Sequence, residues 1–302
     1  MESDMKFLFD ILRGCAIGIS NIIPGVSGGT LAVSMGIYDK IIGSVTGLFR
    51  HFKKSFTTLL PYGIGMVVGL LGLSFVIEFL FAHYPLPTIL LFIGLILGGV
   101  PALWQRIKGH KIGIPGILLF LTFFVLLILL PVIAGEERTD LVLTADVLTI
   151  IKLFFIGVIA SSTMVIPGVS GSMILMSLGY YAPILASINN FVRAVLDFNI
   201  GAALTECALL VPFGIGVLVG IFAIAKLIEF LLARFETYTY CAVLGLVAAS
   251  PVSIFTAFKV PAPSVLILIL SPIALVAGFA AAYFLGKASE SEVGTTEELI
   301  ES

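Results

Sequence analysis

The sequence predicts an all-α polytopic membrane protein made of two inverted-topology repeats, each with a re-entrant broken-helix hairpin and three full transmembrane helices. Three observations carry this prediction. The 302 residues are 59% hydrophobic and 11% charged, whereas a soluble domain averages about 25% charged residues. Apolar stretches approaching or exceeding the roughly 20 residues needed to cross a bilayer recur along the chain. The hexapeptide Ile23-Pro-Gly-Val-Ser-Gly28 returns unchanged as Ile166-Pro-Gly-Val-Ser-Gly171, 143 positions later and again inside apolar sequence.

The first repeat is expected over residues 1–134. Phe7 to Ile23 is apolar but short, and it carries Asp10, Arg13 and Asn21. A helix entering Pro24 loses an amide donor and meets the proline ring, and Gly25 permits dihedrals that other residues resist. Ser27 is placed to cap a new helix starting among Gly28, Gly29 and Thr30. The following arm, Leu31 to Tyr38, is soon interrupted by Asp39 and Lys40. Two such arms form a re-entrant hairpin rather than two crossings. A basic loop with Arg50, His51, Lys53 and Lys54 precedes Leu59 to Phe81, a full-length segment with Gly63, Gly65, Gly69 and Gly72. Small residues at such spacings let helices approach closely in a bilayer. Pro87 to Leu103, a loop with Arg106, Lys108 and Lys111, and Pro115 to Ile133 complete this half.

After a polar linker, 135–146, the programme repeats over 147–287. Val147 to Ile166 leads to the second break and Met173 to Ile188 follows it. Val211-Pro-Phe-Gly-Ile-Gly-Val-Leu-Val-Gly220 matches Leu60-Pro-Tyr-Gly-Ile-Gly-Met-Val-Val-Gly69 at an offset of 151. Tyr238 to Ala257 and Pro263 to Leu285 supply the last crossings, and the acidic tail 288–302 is expected to be disordered. Three crossings per repeat is an odd number, so the second repeat enters from the opposite face. Secondary transporters with discontinuous helices share this architecture. With both termini in the cytoplasm, 12 of the 16 basic residues fall on or near the cytoplasmic side, as the positive-inside rule expects. A cytoplasmic (plasma) membrane location is expected, and the N-terminus lacks the basic n-region and the Ala-x-Ala-like cleavage site of a removable signal peptide.

The chemistry follows from the breaks. Non-helical backbone at membrane depth is tolerated only inside protein or beside a wet cavity. A helix that restarts there presents unpaired amides to an anion. Pro24, Gly25, Ser27, Gly28, Gly29 and Thr30 in one copy, and Pro167, Gly168, Ser170, Gly171 and Ser172 in the other, form the candidate substrate site. Packing alone rarely needs two identical polar turns. Asn21 is a candidate on the first side only, because its counterpart is Met164. Arg13 reads either as a contact to an anionic headgroup or as an interfacial residue paired with Asp10 one turn away. Glu78 and Glu229 occupy equivalent places near the ends of their crossings, where partial removal from water favours protonation. They are candidates for coupling or gating, and their alternative is an interface-facing carboxylate, with Lys226 available to Glu229. Glu206 and Asp39 are weaker candidates.

Enzyme chemistry and nucleic-acid binding are not indicated. His51, His83 and His110 lack metal-ligand spacing, and neither a metal nor a cofactor is expected. Gly25-Val-Ser-Gly-Gly29 spells a nucleophile elbow in letters but lacks the strand that would present it. Cys15, Cys207 and Cys241 are far apart in apolar runs and read as packing residues. The residues alone leave three classes open: a transporter of an anionic lipid, a transporter of a small soluble anion, and a non-transporting scaffold.

Gly14-x3-Gly18-x2-Asn21-x2-Pro-Gly-Val-Ser-Gly-Gly-Thr30 with Gly36-Ile-Tyr38 resembles the first motif of the DUF368 membrane proteins. Ser161-x2-Met164-x-Ile-Pro-Gly-Val-Ser-Gly-Ser172 with Gly179-Tyr-Tyr181 resembles their second. The resemblance extends to about residue 286. It implies a polyprenyl-phosphate transporter that returns undecaprenyl phosphate across the membrane for reuse in cell-envelope synthesis, with an anionic lipid as its partner. Coupling to protons or another cation is a further expectation. Many members carry Asp at the position where this chain has the uncharged amide Asn21.

Overall fold

In the computed structural model of the chain, residues 2–21, 26–134, 143–257 and 264–301 are described, and their regular structure is helical. The first half folds as α1 (Glu2–Ser20), α2 (Gly28–Ser34), α3 (Tyr38–Gly47), α4 (Phe52–Val67), a π-helical turn (Val68–Gly72), α5 (Ser74–His83), α6 (Pro85–Ile107) and α7 (Ile114–Ala134). The second half supplies α8 (Val147–Val165), α9 (Gly171–Ser177), α10 (Tyr181–Leu196), α11 (Ile200–Ala257) and α12 (Val265–Glu301). Among the described residues, five helical segments are long and apolar enough to cross a membrane: Phe52–Gly72, Pro85–Ile107, Val147–Val165, Ile200–Phe255 and Val265–Lys287. The pair α9 and α10 is bent by 105°. The chain is an all-α polytopic membrane protein.

Local sequence accounts for the element ends. Asp146 caps α8, accepting hydrogen bonds from the Thr144 hydroxyl and from the Thr149 amide and hydroxyl. These donors hold its carboxyl below the usual aspartate range. Gly36 (φ 67°) and Gly179 (φ 76°) end α2 and α9 in the left-handed conformation that glycine adopts without a Cβ clash. At both, the next amide reaches back five residues: Ile37 N to Ala32 O and Tyr180 N to Leu175 O, at 3.0 and 2.9 Å. Paired with the glycine amide bonds to Val33 O and Met176 O, these are two Schellman closures at equivalent positions.

Four sequence expectations are corrected. The second arms stop after two turns at Ser34 and Ser177, because those glycines terminate them. The crossing expected over Leu59–Phe81 begins at Phe52, taking Lys53 and Lys54 into its first turn, and is interrupted by the π turn and Leu73. Glycines at 69 and 72 weaken the helical preference there. Ser27 occupies the N-cap position but makes no capping bond with its side chain. Residues 288–301 of the acidic tail, expected to be disordered, carry on as helix α12.

The long helix α11 is two segments joined at Phe235 (φ −134°, ψ 42°). Tyr84, 151 positions earlier, has nearly the same dihedrals (φ −134°, ψ 54°) and separates α5 from α6. Residues 200–234 therefore correspond to α4 and α5, and 236–257 to α6.

Glycine contacts repeat with the same registers. A Cβ on Gly14 would collide with Tyr62 O, and one on Gly157 would collide with Phe213 O. Reciprocally, Gly65 abuts Ile11 O and Gly216 abuts Phe154 O. Thus α1 lies on α4 as α8 lies on α11. Gly94 approaches Leu275 of α12, and its counterpart Gly245 approaches Phe120 of α7. The last helix of each half therefore packs against the other half. The main core gathers α2, α3, α6 and segment 236–257, with Ile37, Ile89, Ile96 and Val247 fully buried.

Candidate functional site

Each break places a short helix start in the interior, and the two starts meet. The first-turn amides of α2 and α9 lack intrahelical partners by geometry, and neither Ser27 nor Ser170 folds back to cap them. Instead, side chains of the first break bind backbone of the second. Thr30 Oγ1 accepts the Gly168 amide at 2.6 Å. The Ser27 hydroxyl donates to Ile166 O at 3.4 Å, and the Tyr38 hydroxyl to Val165 O at 3.2 Å. A Cβ on Gly29 would lie 2.8 Å from Val165 O, so this approach requires glycine. Gly168 turns the second break at φ 84°.

A cavity of about 40 Å³ lies where the breaks touch. Asn21, Val26 and Ser27 line one side; Met164, Val169 and Ser170, their counterparts at an offset of 143, line the other with Gly171 and Ser172. At roughly 10–15 Å³ per water-sized position, it holds about three such groups, comparable with the terminal oxygens of a phosphate monoester. The Ser170 and Ser172 hydroxyls stand 2.8 Å apart. With the Asn21 amide, they give the cavity hydroxyl and amide donors in otherwise apolar surroundings, while Ser27 lines it with its hydroxyl donating to Ile166 O. Both α2 and α9 are seven residues long, so their electrostatic contribution is that of local amides rather than of long aligned dipoles.

The sequence candidates divide accordingly. Ser27, Ser170, Gly171, Ser172 and Asn21 come together at the cavity. Gly28 adjoins it; a Cβ added there would lie 3.1 Å from Asn21 Oδ1. Thr30 and Gly168 join the breaks to one another. Pro167 is buried, while Pro24 and Gly25 lie outside the described residues. Arg13 is not among the cavity residues. It is 1% exposed, with Nη1 2.9 Å from Asp10 Oδ1 and Nη2 donating to Leu285 O at 3.0 Å. Asp10 also accepts from Lys40 at 3.0 Å and from Tyr62 at 2.7 Å. In this structure Arg13 is paired with Asp10.

Glu229 lies on α11, exposed, 3.3 Å from Lys226. Glu78 belongs to α5, and its side chain lies outside the described residues. Of the weaker candidates, Glu206 accepts from Ser187, and Asp39 accepts from Tyr240 at 2.6 Å. Sequence reasoning passed over Tyr38, Val26 and Val169. The repeated Gly-x-Tyr following each break was the available signal for Tyr38.

Comparison with known proteins adds to this geometry. Residues 17–265 match the model of an undecaprenyl phosphate translocase-like family. A polyprenyl-phosphate transporter of Staphylococcus aureus is 33% identical over 282 residues, covering 92% of this chain and 95% of that protein. A polyprenyl-phosphate transporter of Vibrio cholerae is 29% identical over 262 residues, covering 80% of this chain and 75% of that one. No solved structure matches the chain significantly.

Proposed function

The chain belongs to the undecaprenyl phosphate translocase-like family, and on that premise we propose that it moves undecaprenyl phosphate, or a related polyprenyl phosphate, between membrane leaflets. The observation carrying this reading is the single cavity formed by both breaks, with matched residues on its two walls. A lipid phosphate needs a polar path for its head only, because its tail stays in hydrocarbon. In this reading Ser27, Ser170 and Ser172, with the first amides of α2 and α9, hold the phosphate, and Asn21 adds a neutral donor. Like the sequence candidates Gly28 and Gly171, the small residues there leave the amides uncovered.

The same proposal takes the halves as inverted repeats. It is supported by the odd number of crossings assigned to each half and by the reciprocal packing of α6 on α12 and α7 on α11. The distribution of basic residues supports placing both termini in the cytoplasm. Glu78 and Glu229 serve coupling or gating by exchanging a proton as the head passes.

Movement of labelled undecaprenyl phosphate between leaflets of sealed vesicles tests the reading. The parent protein accelerates movement. Ser27→Ala and Ser170→Ala each weaken substrate affinity by about ten- to a hundredfold, corresponding to roughly 1.5–3 kcal/mol for a hydrogen bond to a charged group. No acceleration by the folded parent protein rejects the lipid reading. Parent activity unchanged in both serine variants rejects a phosphate site built from the two breaks.

A further inference from the structure

A second, almost wholly apolar cavity of about 270 Å³ lies beside the break cavity, between α8, α9, α10 and segment 200–234 of α11. Met164 lines both. Its side chain sits against Gly171, where an added Cβ would collide with Met164 Cγ and lie 3.0 Å from Sδ. Beyond it the wall is formed by Leu175, Tyr181, Leu185, Ile188 and Val217. Leu185 and Ile188 are 46% and 43% exposed, so the groove opens on the apolar surface of the protein.

The first half has no equivalent opening among these positions. Ile42, the counterpart of Leu185, is 3% exposed, and Tyr62, the counterpart of Phe213, is fully buried. Lys40 of α3 spans to Tyr62 and Asp10 and ties α3 to α4 and α1. Its counterpart is Pro183, and those of Asp10 and Arg13 are Leu153 and Ile156, so this tie is absent from the second half. The helices after the breaks differ in the same sense. Six of the seven residues of α2 are buried, whereas in α9 only Gly171 is.

We propose that this groove seats the first isoprene units of the lipid whose phosphate occupies the break cavity, and that Met164 forms the threshold between head and tail. The inference rests on the lipid-phosphate reading above and deepens it. Among the described residues, an apolar chain continuing from a headgroup in the polar cavity meets a wall of the same chemistry only on the second side. There an adaptable thioether replaces the amide of Asn21. The binding site is thus asymmetric within a repeated framework, and it recognises a lipid by the continuity of a small polar pocket with an apolar groove.

Photolabelling the full chain in lipid nanodiscs, with farnesyl phosphate carrying a diazirine at the end of its chain, tests the inference. Label is expected on Leu185, Ile188 or Val217, reduced by excess undecaprenyl phosphate but not by the same amount of phosphatidylglycerol. Leu185→Trp, at a partly exposed position, is expected to fill the groove and weaken farnesyl phosphate binding by about tenfold. Label competed equally by phosphatidylglycerol would identify an ordinary lipid crevice and overturn the proposal. Label competed by undecaprenyl phosphate but mapped elsewhere overturns the groove while sustaining the transport reading. Absence of any competed label, with no lipid movement by the parent protein, overturns both. The map on the parent protein decides the question even where the tryptophan variant fails to fold.

Discussion

Asp10 is 4% exposed and stands between two cations, Arg13 on its own helix and Lys40 on α3. A buried guanidinium is tolerated when its charge and donors are met; here Asp10 and Leu285 O meet most of them, although Nε has no partner among the described residues. The link to Leu285 also fastens α1 to α12 across 272 positions of sequence. Asp10→Asn leaves two cations without their carboxylate and is expected to destabilise the protein by about 3–5 kcal/mol. Thermal unfolding of the purified variant in detergent measures this as a lowered Tm. An unchanged Tm would show that the carboxylate does not hold this network together.

Repetition and divergence are clearest at the level of elements. The segments around Tyr84 and Phe235 share one turn geometry, yet α4 to α5 is interrupted by a π turn, while residues 200–234 run as unbroken helix. Glu78 and Glu229 occupy equivalent places on these unequal helices. Lys226 stands 3.3 Å from Glu229 as a countercharge, while the aligned position before Glu78 is Phe75. Glu78→Gln is therefore expected to remove most of the response of lipid movement to an imposed pH gradient, and Glu229→Gln to change it less. Rates in sealed vesicles, with and without the gradient, measure both. Identical pH responses in the parent and both variants would take these carboxylates out of the mechanism.

For the whole molecule, the proposed inversion predicts where each loop emerges. In a background lacking Cys15, Cys207 and Cys241, Phe52→Cys and His110→Cys should label from the cytoplasmic face and Val195→Cys from the opposite face. Labelling of positions 52 and 195 from the same side, read with a membrane-impermeant maleimide, would exclude inverted repeats.

Membrane class, the two breaks and the correspondence of the halves were legible in the sequence, because hydropathy, Pro-Gly interruptions and glycine spacing act through the local chain. Gly14 and Gly157, and the paired Pro-x-Gly-x-Gly segments, already marked the helix contacts later seen between α1 and α4 and between α8 and α11. The end of each second arm was readable in principle from Gly36 and Gly179, since a positive φ stops a helix without tertiary help. Which groups meet was decided by the tertiary structure alone. Thr30 accepting from Gly168, Arg13 reaching Leu285 O, and Met164 placed between a polar and an apolar cavity all depend on residues far apart in sequence, whereas the Asp10 partner of Arg13, one turn away, was already on offer in the sequence. Their partners are chosen by the packing of whole helices, because a buried donor or acceptor must be satisfied by whatever group that packing brings within reach.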